Sequence, residues 1–355
     1  MGRPDRGPRE VTAKRPTSRG QRHVSVKDVA ARAGVSFQTT SKVLNGGGSV
    51  SEETRTRIVR VAEELGYVPN LQARSLVMRR TLTVGLITGD FSDPGLSRIL
   101  AGAEQEARRQ SYGVMITSIE PEGAGTEYAL PAMMERRVDG ILLAAPQMEG
   151  DRALSHVLDH TLPIVSIHHI AGGAIAAVGP DDELAGYFAT RHLVELGHRV
   201  IGAVTGVRGR RMTQSRQRGF RRALDEAGIE SADELVEEGG ERVADGSAAA
   251  ARLLAARPDI TAIFCHHDLE ALGVLRAVHD AGRQVPEKCS LVSCDDLDMA
   301  AYTTPPLTTV HVPFYETGAE AMRELLREVA DTRAKPVSVR LPVHLVTRSS
   351  TAPAS

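Results

Sequence analysis

The chain has 355 residues, with 43 Lys and Arg against 45 Asp and Glu and a formal net charge of −2. This length allows two or three domains with cores of their own. There is no apolar run near the roughly 18 residues of a membrane span, no apolar core of a secretion signal at the amino terminus, and no CxxC spacing among Cys265, Cys289 and Cys294. The sequence therefore predicts a cytoplasmic protein with reduced thiols and no membrane partner.

Charge is divided unevenly along the chain. Residues 1–80 hold 16 Lys and Arg and 7 Asp and Glu, whereas residues 81–355 hold 27 and 38, so the net charges are +9 and −11. A basic part ahead of an acidic remainder is expected to meet phosphates at one end only. Residues 1–23, rich in Gly, Pro, Arg and Ser, are predicted to form a disordered basic arm with weak affinity for DNA.

Residues 24–68 carry the start and stop signals of three short helices. A capping box beginning at Ser25 opens the first helix, and Gly34 ends it. Ser36 can cap a second helix at once, and a third begins at Ser51. Two short helices joined by a glycine turn are typical of a helix-turn-helix, so this segment is predicted to be an all-α DNA-binding head.

From residue 81 onward, short apolar runs alternate with amphipathic helical stretches. Strand followed by helix every 25 to 40 residues or so predicts parallel sheets covered on both faces. The number of units exceeds one compact sheet, so residues 81–350 are predicted to form two doubly wound α/β lobes with a ligand cleft between them, before a tail at 351–355. The predicted strands are 82–88, 112–119, 139–145, 162–168, 199–206, 260–266 and 289–296, and the predicted helices are 97–110, 184–196, 216–228, 246–256 and 269–281.

Several motifs resemble those of the lactose/galactose-repressor family of bacterial transcription regulators. They are KDVAARAGVS with the following TTSKVLN, EELGYVPNLQARSL, GHR at 197–199, RQRGF at 216–220 and PPLTTV at 305–310. The resemblance covers residues 24 to 350. It implies a helix-turn-helix head, a hinge helix and linker at 69–80, and a body like periplasmic sugar-binding proteins. It also implies a homodimer that binds a palindromic double-stranded operator under the control of a small-molecule effector, with repression as the default.

In the head, the resemblance assigns base contacts to Phe37, Gln38 and Lys42. Gln can bond adenine bidentately and Lys can donate to guanine, each worth about 1–3 kcal/mol of discrimination. Phe37 either packs against a thymine methyl or closes the small core, and both interpretations stay open. The chain departs from the common pattern at Thr40, usually Val, and at Lys42, usually Arg. Contacts to the DNA backbone are assigned to Ser36, Thr39, Ser41 and Asn45.

In the hinge, the resemblance places Asn70, Ala73, Arg74 and Leu76 in the minor groove. Leu76 is predicted to act as an apolar wedge that kinks the DNA, with two hinges folding together as a pair. A helix this short is marginal alone. The alternative is an ordinary linker with a buried leucine.

In the cleft, the resemblance assigns effector contacts to Asp90, His168, Arg216, His267 and Asp295. His168 stands where an Asp is usual, His267 stands where an Asn is usual, and Gly95-Leu96 replaces an aromatic pair that stacks on the ligand. Two imidazoles and an arginine without stacking rings favour an anion, so an acidic sugar derivative is predicted as the effector. A neutral sugar, or no small molecule at all, remains open.

Other function classes have less support from the sequence. An enzyme needs a nucleophile, a cofactor or a metal, and no cofactor is predicted. A metal cluster of the paired histidines 168–169 and 266–267 with Asp268 is disfavoured, because neighbouring residues on a strand face opposite sides. A solute-binding protein or a ligand-independent architectural DNA-binding protein remains an alternative to a regulator.

Overall fold

A computed structural model describes residues 24–44, 47, 49–68, 80–119, 126–146, 162–167, 175–331 and 333–354. The chain divides into two compact units, Met1–Arg79 and Arg80–Ser355. The predicted basic arm and the hinge positions Asn70, Ala73, Arg74 and Leu76 lie outside the described residues.

The first unit contains the three predicted helices: α1 Val26–Ala33, α2 Phe37–Leu44 and α3 Glu52–Glu64. The capping box of α1 is present, because Ser25 Oγ accepts from the Asp28 amide and the Asp28 carboxylate accepts from the Ser25 amide. Gly34 ends α1 at a φ of 68°, where glycine has no Cβ to clash. The small core shared by the three helices consists of Val29, Ala33, Val43, Ile58, Val61 and Ala62.

The second unit contains two six-stranded sheets, and each predicted strand is found in one of them. The amino-terminal lobe has the strand order β11-β5-β4-β3-β1-β2, and the carboxyl-terminal lobe has the order β12-β10-β9-β8-β6-β7. Neighbouring strands are parallel except β10 and β12. The strands are β1 Thr83–Thr88, β2 Gly113–Ser118, β3 Ile141–Ala144, β4 Ile164–Ser166, β5 Ala176–Pro180, β6 Ile201–Thr205, β7 Val236–Glu238, β8 Ala262–Cys265, β9 Ser290–Asp295, β10 Thr308–His311, β11 Ser338–Leu341 and β12 His344–Val346.

Helices cover both faces of these sheets. They are α4 Pro94–Arg109, α5 Thr126–Glu135, α6 Asp182–Glu195, α7 Arg211–Glu226, α8 Val243–Ala256, α9 Asp268–Asp280 and α10 Phe314–Ala330. The pairs α4/α10, α6/α7 and α8/α9 approach closely at glycines. A Cβ at Gly318 would lie 1.9 Å from Ile99 O, and one at Gly219 would lie 2.0 Å from Glu183 O. Only glycine fits these contacts between helix backbones.

Three crossings connect the lobes. The chain leaves the first sheet after β5, returns from β10 into α10, and crosses again between β11 and β12. The segment predicted as a tail at 351–355 is not separate from the body, because Ala352 and Ala354 hydrogen-bond to the carboxyl-terminal lobe. The body therefore continues as far as Ala354.

Candidate DNA-reading head and effector cleft

The exposed face of α2 carries the predicted base-reading side chains. Phe37, Gln38 and Lys42 are all exposed, and Gln38 and Lys42 are one helical turn apart. The Phe37 ring is 49% exposed and is not part of the core of the head. Of the two interpretations of Phe37, the structure therefore disfavours core closure and leaves the ring free to meet a ligand.

The other predicted contacts in the head are also part of its own structure. Ser36 Oγ accepts from the Thr39 amide at 3.1 Å and lies 2.8 Å from Thr39 Oγ1, so both hydroxyls help to start α2. Thr40 is fully buried and its hydroxyl donates to Ser36 O at 3.1 Å, so threonine fits where the family usually has valine. Ser41 is half-buried. Asn45 lies outside the described residues.

An ionic network is centred on Asp295, a predicted effector contact at the end of β9. Asp295 Oδ1 lies 3.1 Å from Arg216 Nη1, and its Oδ2 lies 3.4 Å from His267 Nδ1. Asp295 has a φ of 117°, a conformation that costs free energy in residues with a Cβ. The strand end is therefore held in a strained shape that directs one carboxylate to two cations.

Arg216, on α7, is buried completely. Its Nε donates to Asp182 Oδ1 at 3.1 Å, and its Nη1 donates to both the His266 carbonyl and Asp295. Burial lowers the pKa of Arg216, but Asp295 and Asp182 raise it by a larger amount, so the side chain stays charged. The predicted effector contact of Arg216 is thus limited to Nη2, which has no partner among the described residues.

His267 begins α9 and is mostly buried beside Asp295. Burial lowers its pKa, but the hydrogen bond to Asp295 and the charges of Asp295 and Glu270 raise it to about 9. The ring is therefore an imidazolium near neutral pH, with both nitrogens as donors. A Cβ at Gly206 would lie 2.8 Å from its Nε2 and 3.0 Å from Thr213 Oγ1, so these two polar atoms face the same space above Gly206.

The amino-terminal lobe contributes carboxylates at the start of α4. Asp93 caps that helix, because its Oδ1 accepts from the amides of Gly95 and Leu96 at 2.8 and 3.2 Å. Asp90, the predicted contact, is exposed, and the Ser92 amide holds its pKa below the ordinary value. Arg98 of this lobe lies 2.6 Å from Asp298 of the other, so the two lobes touch across the cleft.

The described cations near the predicted effector site are paired with carboxylates of the same chain. Arg216 and His267 both form ion pairs with Asp295. Arg216 also pairs with Asp182, and Arg98 pairs with Asp298. Asp90 and Asp93 make no ion pair within the described part of the chain, although the charge of His267 opposes the rise that burial causes in the pKa of Asp93. These eight described side chains comprise three cations, with His267 charged, and five carboxylates, so they do not form a surplus of cations for an anion.

Three functional candidates were missed by the sequence analysis. Asp182 begins α6 directly after the first crossing, and Thr213 precedes Arg216 by one helical turn, a spacing that the sequence does show. The Phe314 ring, the first residue of α10, would lie 2.9 Å from a Cβ at Gly95. This half-buried ring supplies an aromatic surface beside the position where the aromatic pair of the family is absent.

Of the histidine pairs considered for a metal cluster, only 266–267 belongs to the described residues. His168 and His169 lie outside the described residues, and within those described there is no cluster of three potential ligands. The His266 ring packs against Phe264, with centroids 5.0 Å apart, whereas His267 faces Asp295. Burial and the charge of Arg216 hold the pKa of His266 well below its ordinary value, so it is neutral. No helix among the described residues is long and apolar enough to cross a membrane.

Comparisons with known proteins match both units. A model of bacterial regulatory proteins of the lacI family matches residues 25–70, and a model of the periplasmic binding protein-like domain matches residues 190–351. The chain is 32% identical over 337 residues to the HTH-type transcriptional repressor PurR of Aliivibrio salmonicida, covering 92% of this chain and 98% of that protein. It is 33% identical over 348 residues to the HTH-type transcriptional regulator CelR of Thermobifida fusca, covering 93% and 99%.

Solved structures agree with the two-lobed fold. The Lac repressor dimer bound to operator and the anti-inducer ONPF is similar with a TM-score of 0.83 at 27% identity, covering 93% of this chain and 99% of that one. A complex of the transcriptional regulator CelR with cellobiose is similar with a TM-score of 0.72 at 32% identity, covering 92% and 100%. The predicted fold class, a helix-turn-helix head with a periplasmic-binding-protein-like α/β body, is confirmed.

Proposed function

The chain belongs to the lacI family of bacterial regulatory proteins, and from that premise we propose that it represses transcription by binding a palindromic operator as a homodimer. Members of this family are transcription regulators and not enzymes. Since the chromosome of a bacterium lies in its cytoplasm, that is where the protein is proposed to act. The observation that carries the proposal is the capped α2 helix with Phe37, Gln38 and Lys42 exposed together.

Selection of bound fragments from random double-stranded DNA tests the DNA-binding part. A symmetric dimer presents two copies of α2, so the selected sites are expected to be inverted repeats. Lys42→Ala is expected to relax base preference at one position per half-site, at a cost of about 1–3 kcal/mol. Glu64→Ala removes an exposed charge from α3 and serves as the matched control. Sites without symmetry would contradict the proposal.

The effector proposed for the cleft is a neutral molecule rich in hydroxyl groups. Arg216 Nη2 and Thr213 Oγ1 are buried without a partner among the described residues, and the Nε2 of His267 faces the space beside Thr213. Buried donors without acceptors cost free energy, so a ligand oxygen placed there is stabilised. The neighbouring carboxylates can accept from the hydrogens of the same hydroxyl groups.

Repression would then be coupled to the arrangement of the lobes. A ligand that binds one arrangement more tightly shifts the population toward it, and only this difference in affinity changes DNA binding. CelR is found with cellobiose and another regulator of the family with ribose. Those two sugars are therefore suitable first probes of the cleft.

Calorimetry of the full chain against cellobiose, ribose and glucose, and against glucuronate and glucose 6-phosphate, tests the effector class. One of the neutral sugars is expected to bind best. Thr213→Val, which keeps the shape and removes the hydroxyl, is expected to weaken that binding by about 1 kcal/mol. Tighter binding of an acidic ligand, or no binding by any of the five, would contradict this part and leave the DNA-binding part intact.

A further inference from the structure

Two of the three crossings between the lobes run side by side, and each has a histidine at its end. β10 ends at His311, after which the chain enters α10 of the amino-terminal lobe. β12 begins at His344, after the chain has left β11 of the other sheet. The two strands are antiparallel, and His311 pairs directly with His344 in their register. We call these two residues the crossing pair.

The two rings of the crossing pair lie close together at a tilt, and His311 shares the Asp296 carboxylate with an arginine. The ring centroids are 4.9 Å apart with an interplanar angle of 35°. His311 Nδ1 lies 3.0 Å from Asp296 Oδ2, while Arg348 Nη2 lies 2.6 Å from Asp296 Oδ1. Burial raises the pKa of Asp296, but Arg348 and His311 lower it by more, so the carboxylate is charged. The Asp296 carboxylate is thus already neutralised by Arg348, which is charged at every pH of interest.

The other charged groups at the crossings are engaged elsewhere. Asp295, the register partner of His311 on β9, holds Arg216 and His267. Asp181, at the first crossing, lies 3.9 Å from Arg340 of the neighbouring strand β11. His344 has no acidic partner in the described part of the chain. A positive charge on the His344 ring would therefore lie beside the His311 ring and not beside a carboxylate.

We propose that the crossing pair makes the arrangement of the lobes sensitive to acid. Histidine is the side chain whose charge ordinarily changes between pH 5 and 8. With both rings neutral, or with only His311 charged against Asp296, the two strands stay together. With both rings charged, the exposed His344 ring repels His311, whose carboxylate Asp296 already binds Arg348, and this repulsion weakens the contact between the two crossings and lowers the population of lobes in contact.

The effect on DNA binding rests on the proposed function, but the change in the lobes does not. Acid also protonates other groups of the same lobe, because burial raises the pKa values of Asp268 and Glu270 to about 7. A pH effect alone is therefore insufficient as a test. The experiment compares variants that differ only at the crossing pair.

Förster transfer between a dye in each lobe of the full chain measures the lobe separation without DNA or effector. Glu104→Cys on α4 and Asp225→Cys on α7 place dyes at exposed positions. Cys265, Cys289 and Cys294 are buried, so labelling is confined to the introduced thiols. Dilution into an excess of unlabelled protein restricts transfer to one subunit. The signal is recorded from pH 8 to pH 5.5 in this background and in three further variants: His344→Gln, His344→Arg and His279→Gln.

Transfer is expected to fall with acid in the parent and in His279→Gln, whose replaced histidine is an exposed residue on α9. In His344→Gln the fall is expected to shrink to less than half, because the second charge is missing. His344→Arg, charged at every pH, is expected to show low transfer already at pH 8. Equal acid responses in the parent and His344→Gln, or normal transfer in His344→Arg at pH 8, would overturn the proposal. Either result would leave the proposed operator binding untouched.

Discussion

The two lobes have the same strand order but bury different chemistry. In the amino-terminal lobe, the core of the described residues is apolar, with Leu86 and Leu142 at its centre, and the buried charged side chains are carboxylates on the covering helices: Glu106, Glu324 and Glu328. In the carboxyl-terminal lobe, Arg216, Asp268 and Glu270 are fully buried beside Asp295. Glu106 and Glu324 pair with arginines whose side chains are 42–62% exposed, whereas the carboxyl-terminal lobe buries a cation together with its carboxylates. Burying that network costs desolvation free energy, which the pairing of Arg216 with Asp182 and Asp295 offsets.

The largest expected effect comes from breaking that network. Arg216→Met leaves Asp182 without a cation and Asp295 with only His267, so we expect the free energy of unfolding to fall by about 3–5 kcal/mol. Chemical denaturation at pH 7.5 measures it. Arg276→Met, which removes an exposed pair with Asp280 on α9, is the control and is expected to change it by less than about 1 kcal/mol. A loss below 1 kcal/mol in Arg216→Met would mean that the network is not structural.

The second effect is a dependence of stability on pH that belongs to the carboxyl-terminal lobe. Burial raises the pKa of Glu270 from 4.5 to about 7, although His267 and the Gly240 amide lower it. The folded chain therefore keeps a proton that the unfolded chain releases, and stability is lost as the pH rises from about 4.5 to 7. Asp268, with a pKa of about 7, acts in the same direction.

Glu270→Gln is expected to remove this part of the pH dependence. Relative to the parent, the variant gains stability as the pH rises from 5 to 8, by an amount on the order of 3 kcal/mol at most. Thermal and denaturant unfolding at five pH values give the slope. Glu287→Gln, at an exposed position of the same lobe, is the control. If Glu270→Gln and the parent kept the same slope, Glu270 would not hold the proton.

A third pair of substitutions tests the close helix packing at glycines that both lobes share. The helix pairs α4/α10 and α6/α7 use close-approach glycines in the same way, so Gly318→Ala and Gly219→Ala should each cost about 1–3 kcal/mol by overpacking. Gly209→Ala, with nothing within 4 Å of its added Cβ, is the matched control. A cost confined to one lobe would show that the shared topology conceals different helix packing.

How much could be predicted depended on the range of the interactions. The head was predicted well because its signals are local: Ser25, Gly34 and Ser51 act within one turn of the residues that they cap. Seven of the twelve described strands were predicted, and most of these are continuous apolar runs. β5 and β10 were missed, because β5 ends in Gly-Pro and three of the four residues of β10 are polar. β7, β11 and β12 were missed because they have three or four residues each and are not fully buried, so neither length nor periodicity marks them.

The sequence named residues of the predicted effector site but could not show how they pair with one another. Asp295, at the end of β9, and Arg216, on α7 of the same lobe, were both assigned to one site, and the structure places them 3.1 Å apart. The sequence could not show that Asp182 and Asp295 neutralise Arg216, since those contacts join residues 34 and 79 positions apart. Unpaired cations were assumed, and an acidic effector followed from that assumption.

The smallest expected effect concerns the contact between the lobes. Arg98 and Asp298 pair at 2.6 Å, but the Asp298 side chain is 92% exposed. Water and salt screen such a pair, so Arg98→Met should change the free energy of unfolding by only about 0–1 kcal/mol, and less at high salt. The same variant should nevertheless lower the transfer between the dyes on α4 and α7, since the pair joins the two lobes. A loss of stability as large as that of Arg216→Met would contradict the division between a buried ionic network and a solvated contact, because it would make the surface of the cleft as important to the fold as its interior.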